Sequence, residues 1–151
     1  MVVEGIAGLR VRFVVIYVLK VFPDAENNLG YSIVRVCVIF SIPEKHHSLM
    51  FKPHVSIPLH LAYVEWYIAL SQTDPTHGMF KISPKKDNNG DHICSVVPIG
   101  NLQCSVHLLP KFGPVAPPEW TSSNAPDTCQ TFFVNSLTDC HLYQIMYDAV
   151  E

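Results

Sequence analysis

The sequence is short of charge. Asp, Glu, Lys and Arg make up 15% of its 151 residues, and ten cations face thirteen acids for a net charge of −3. Proteins that bind nucleic acid usually carry an excess of Lys and Arg to displace condensed counterions, so this balance counts against that class. The one compact basic cluster, Lys81, Lys85 and Lys86, is followed at once by Asp87 and Asp91, a mixture expected of a solvated hairpin tip. Glycine is scarce too, at seven residues. There is no GxGxxG, no P-loop and no Gly-x-Ser-x-Gly elbow, which removes the phosphate-cradling and serine-hydrolase signatures. Neither a Cys-x-x-Cys pair nor an Asn-x-Ser/Thr sequon occurs. Together with the odd count of five cysteines, this reads as free thiols in a reducing compartment, nuclear or cytoplasmic and not secreted. Residues 13–19 form an apolar run between Arg12 and Lys20. That is far short of the roughly 20 residues of a membrane-spanning helix and lacks the basic start of a signal peptide. Its Val, Ile, Tyr and Phe content is that of a buried strand.

What is abundant is apolar surface and proline. Hydrophobic residues are 48% of the chain, too many for disorder. Twelve prolines argue against long helices and for short strands joined by turns. Strands are expected over residues 9–22, 31–42, 61–70, 79–82, 92–97 and 102–109. In the second, Val34, Val36, Val38 and Phe40 occupy one face, with Ile33, Arg35, Cys37 and Ile39 opposite. Turns are expected at 23–30, at 71–78 and at Asn89-Gly90, the last a strong hairpin signal. Residues 44–60, with three prolines counting the boundary Pro43 and four histidines, read as a long surface loop. Residues 110–118 hold four prolines and read as an extended connector packed over the sheet. Ser122, Ser123 and Asn124 offer helix caps, and Pro126 and Asp127 suit a first turn, so a short helix is expected to about Val134. Residues 139–148 fit either a short helix or a strand. The fold expected is mainly β: a small SH3-like barrel or a curled antiparallel sheet with a short C-terminal helix, the alternative being a β-sandwich. A barrel would centre on the strand from Leu61, the hairpin near Gly90 and the strand from Leu102. One domain spans 1–151, with strands over 9–110 and the connector and helical tail over 111–151.

Three groups of residues carry possible chemistry. Tyr63, Glu65 and Tyr67 share one face of a strand, where aromatic rings beside a carboxylate can hold a cationic side chain. Cys94, Cys104 and His107 are the candidates for a small zinc site, and Cys129, Cys140 and His141 form a second group, although zinc ligands normally come in closer pairs. Glu65 is the one carboxylate inside a clear strand, whereas a metal-dependent nuclease needs several that converge. No cofactor is expected. Trp66 and Trp120 read as core anchors, with Trp120 pinning the connector.

Five strings have a further implication: LAYVEWY (61–67), GMFKI (78–82), SVVPI (95–99), SVHLLPKFGPVAPPEWTSSN (105–124) and TFFVN (131–135). Together they resemble the C-terminal region of proteins encoded by basidiomycete fungal transposons, the transposase-like proteins related to the Plavaka and Kyakuja–Dileera–Zisupton groups. Residues 9–22 and 31–43 (YSIVRVCVIFSIP) are similar to the two strands that precede this block, so the resemblance covers most of the chain. It implies a context and no catalytic residue. The nuclease core of such proteins lies N-terminal to this region and is missing here, which makes the chain a fragment or remnant. The resemblance implies a non-catalytic accessory domain that contacts protein, either a separate partner or the rest of a parent, with no membrane role. A nucleic-acid-binding role in a transposition complex is the alternative. Relatives often carry an Arg-Arg pair before the Ser-x-His-Leu string; this chain has the uncharged 100–104 (GNLQC) there.

Overall fold

The computed structural model describes residues 15–20, 31–68, 73–121 and 124–135. Strands dominate: β1 (Val15–Lys20), β2 (Tyr31–Phe40), β3 (Leu61–Trp66), β4 (Lys81–Ile82), β5 (Cys94–Pro98), β6 (Leu102–Val106), β7 (Leu108–Pro110) and β8 (Phe132–Val134). Among the described residues, helix is confined to single turns, among them α1 (His47–Met50) and α2 (Ala125–Thr128). The large sheet has the order β5-β3-β2-β1-β6 and the small one β4-β8-β7, and every strand pairing is antiparallel. Among the described residues no barrel closes, because β5 and β6 are the two edges of the large sheet. The mainly β, curled-sheet expectation holds. The strand from Leu102 lies at an edge beside β1, not at the centre.

The curl follows from connectivity. Only the 3-10 turn Ile99–Asn101 joins β5 to β6, at opposite ends of the strand order. A flat sheet would hold those edges about 19 Å apart, at about 4.8 Å per strand. The four Cα steps from Pro98 to Leu102 reach at most about 14 Å. The sheet must therefore bend until its edges approach one another. Its inner face carries Val34, Val36, Ala62, Val64 and Val97, with Ile39, Trp66 and Leu102 packed against them. Val34, Ala62 and Val64 are wholly buried, and the indole of Trp66 donates to Ser95 Oγ at 2.8 Å.

The outer face is covered over part of its area by the small sheet. Ile16, Ile33, Tyr67 and Val106 share a second core with Phe80, Ile82, Cys129, Phe132 and Val134. Trp120 packs against this core and anchors the end of the connector. Residues 102–109 do not form one strand. The ladder breaks at His107, and the chain passes from the large sheet (β6) to the small one (β7). Residues 132–134 are a strand where a helix was expected. Phe132, Phe133 and Val134 are strand formers with open edges on both sides, and they pair with β4 and β7. The helix accordingly stops at Thr128, with Pro126 in its first turn as expected.

A bulge changes the face assignment of β2. Val36 pairs with Val64 and Val38 with Tyr63, which leaves Cys37 as an extra residue. One inserted residue shifts side-chain alternation by one. Val34, Val36 and Ile39 therefore face inward, while Arg35, Val38 and Phe40 lie on the outer face. The loop 44–60 is a surface loop as expected, with two short helical turns at its start. The ends of the expected first strand (9–14 and 21–22), the turn at 23–30, residues 69–72, the caps Ser122 and Ser123, and 139–148 with Cys140 and His141 lie outside the described residues.

Candidate functional site

Strand register builds three rows across the outer face of β2, β3 and β5. The first is Arg35–Glu65–Cys94, the second Val38–Tyr63–Val96 and the third Phe40–Leu61–Pro98. The first row is a polar knot. Arg35 Nη1 lies 2.5 Å from Asp127 Oδ1 on α2 and 3.4 Å from Glu65 Oε2, and His92 Nδ1 lies 3.4 Å from the same Glu65 oxygen. Burial pulls the Arg35 guanidinium down, but the hydrogen bond and charge of Asp127, with Glu65 behind, leave its pKa above the ordinary value. Arg35 thus ties the large sheet to the helical turn that leads into β8. Cys37, in the bulge beside it, has its thiol pushed up to about 11, by burial first and by the Glu65 carboxylate second. It is held as a neutral thiol and is a poor nucleophile at neutral pH.

Tyr63, Glu65 and Tyr67 share the outer face, as their spacing demands, but they do not form an aromatic cage. Tyr67 is 4% exposed and meets Phe132 edge to face, with ring centroids 6.1 Å apart. Burial pushes its hydroxyl up to about 12. The small sheet covers this end of β3, which removes Tyr67 from any ligand. Glu65 is already engaged. The cation beside Glu65 is the chain's own Arg35. Only Tyr63 stays open, at 40% exposure. The Cys94 thiol nearby raises the pKa of the Tyr63 hydroxyl above the ordinary value.

The zinc candidates are not gathered. Cys94 and Cys104 stand on the two edge strands, and Cys104 packs against the second core. His107 is exposed at the sheet crossing, with its Nδ1 3.5 Å from Asn135 Nδ2. No group of three or more His, Cys, Asp or Glu able to hold a metal occurs among the described residues. Cys37, Cys94 and Cys129 are free thiols. Cys37 and Cys94 flank β3, about 9.6 Å apart at two strand spacings, which is beyond disulfide reach. Trp66 and Trp120 both act as anchors, as expected.

What remains accessible is the second row. Val96 is 54% exposed, Tyr63 stands beside it, and Val38 is half-buried. Arg35 and its knot border the row on one side and Phe40 on the other. Sequence alternation missed Val38 because of the bulge. It missed the Arg35–Asp127 contact because 92 residues separate the partners. A signal for Arg35 existed: it is the one charged residue in YSIVRVCVIF. No family model, curated protein or solved structure matches the chain.

Proposed function

We propose that this chain is a non-catalytic interaction domain whose contact surface is the open row Val38–Tyr63–Val96. The observation that carries the reading is the contrast along β3. Val64 is fully buried and Tyr67 is core, whereas Tyr63 and its cross-strand neighbour Val96 are left in solvent. An apolar row bordered by a fixed ion pair suits a protein partner, in which the apolar contact supplies affinity and the charges supply orientation. The resemblance to the C-terminal region of transposase-like proteins names that partner as the rest of such a protein. The topology supports an SH3-like reading of the curled sheet: four strands in a meander, a 3-10 turn, and a fifth strand that returns beside the first. Nucleic acid is the less favoured partner, since Arg35 and Lys81 already pair with carboxylates.

The test is association in trans. The chain is mixed with a transposase-like relative from which the matching C-terminal region has been removed. Wild type is expected to co-elute on size exclusion, and Tyr63→Asp/Val96→Asp to weaken the complex at least tenfold while keeping the wild-type circular dichroism. Absence of a complex, or one indifferent to both charges, would sink the proposal.

A further inference from the structure

The proline-rich connector is not packed over the sheet, and its exposure assigns it a second role. Phe112 is 52% and Val115 81% exposed, and Lys111, Gly113, Pro114, Ala116 and Pro118 are exposed as well. The segment is held at its two ends. Lys111 N donates to Thr131 O at 2.9 Å, Trp120 N donates to Pro117 O at 3.0 Å, and Asn124 Nδ2 donates to Glu119 O at 2.8 Å. Between these anchors, residues 112–116 make no backbone hydrogen bond among the described residues. The result is an arch fastened at both ends, with no backbone bond at its middle among the described residues.

The sequence of the arch, KFGPVAPP (111–118), has a definite intrinsic conformation. Pro114, Pro117 and Pro118 fix φ near −65°, and Gly113, Ala116 and Pro117 each precede a proline, which steers them to extended backbone. Both effects favour the polyproline II helix, with three residues per turn. At that period Lys111, Pro114 and Pro117 fall on one edge, and Phe112, Val115 and Pro118 on the next. The edge Lys111–Pro114–Pro117 spans about 19 Å at about 3.1 Å per residue. Pro114, Pro117 and Pro118 contribute no N–H donors, and the Pro117 carbonyl already accepts from Trp120 N. Among the described residues, no carboxylate pairs with Lys111.

We infer that residues 111–118 are a ligand for a polyproline-binding groove of the SH3 type. Such grooves are lined by aromatic rings that seat prolines in the polyproline II form, and a carboxylate at one end of the groove would receive Lys111. This surface is separate from the Val38–Tyr63–Val96 row, and the inference stands without it. The free chain bends at Pro114 and Val115, so docking selects its straighter form. No backbone bond among the described residues holds 112–116, so the change is opposed only by the anchors at Lys111 and Pro117, one of which shifts as the segment straightens.

The probe is a panel of purified SH3 domains with carboxylates beside the groove, titrated with the full 151-residue chain and read by groove tryptophan fluorescence. At least one member is expected to bind. Pro114→Ala/Pro117→Ala should lose that binding, and Pro53→Ala, in another exposed loop, should leave it unchanged. Lys111→Glu should weaken it at least tenfold, and a partner with its groove carboxylate changed to Lys should restore it. The charge swap keeps the test decisive if the proline variant folds poorly. Silence from the whole panel, or binding that survives both the proline and the lysine changes, overturns the inference.

Discussion

At the scale of single residues, charge placement fixes several of the side-chain contacts. Asp74 is the clearest case. Its Oδ2 lies 3.0 Å from Lys81 Nζ, while its Oδ1 accepts from Thr76 N at 3.0 Å and meets His77 Nδ1 at 3.1 Å. Lys81 first and His77 second hold its carboxyl well below the usual carboxylate range. A carboxylate with a depressed folded-state pKa stabilises the protein above its unfolded pKa, about 3.9. That contribution is lost as pH falls through the lower folded value. Asp74→Asn is therefore expected to lower Tm by a few degrees at pH 7. The gap between variant and wild type should close progressively below about pH 4, as thermal melts across the acid range would show. The turn itself was legible in Asp74-Pro75 and Gly78, which adopts φ +65°. The bond from Asp74 to Lys81 was not, because it depends on how β4 returns past the turn.

At the scale of elements, alternation identified most strands and failed wherever an element's context overruled it. In β3, residues Val64 and Trp66 face inward and Tyr63 and Glu65 outward, as period two requires. In β2, one extra residue at Cys37 reverses the second half of the strand, and no local signal in a run of Val and Ile marks where a bulge will fall. Residues 132–134 became a strand because β4 and β7 were there to receive them, a tertiary decision that propensity over three residues cannot make. The burial contrast can be tested with one substitution type at two sites. Val64→Ala empties part of the inner core and is expected to cost about 2–3 kcal/mol. Val96→Ala, on the outer row, should stay within about 0.5 kcal/mol. Urea unfolding of both variants checks this, and equal costs would mean that the row is covered in solution.

At the scale of the whole molecule, one curled sheet has an apolar interior and an outer face shared between a second core and solvent. The loop between β2 and β3 adds more apolar surface: Leu49 is 80%, Leu59 76% and Met50 63% exposed. Exposed apolar groups of this size favour association. The isolated chain is expected to show concentration-dependent self-association in sedimentation velocity. Leu49→Ser/Leu59→Ser should reduce it without changing Tm; a chain that stays monomeric at high concentration would contradict this reading. By itself the sequence determined that the protein is mainly β and built from strands joined by turns. These properties follow from composition, spacing and the punctuation of proline and glycine, all of them local. The tertiary structure alone decided that Arg35 pairs with Asp127 and Glu65, that Tyr67 is core while Tyr63 is surface, and that the connector stands clear of the sheet. Each of these depends on which strands meet across tens of residues, and local periodicity carries no record of that.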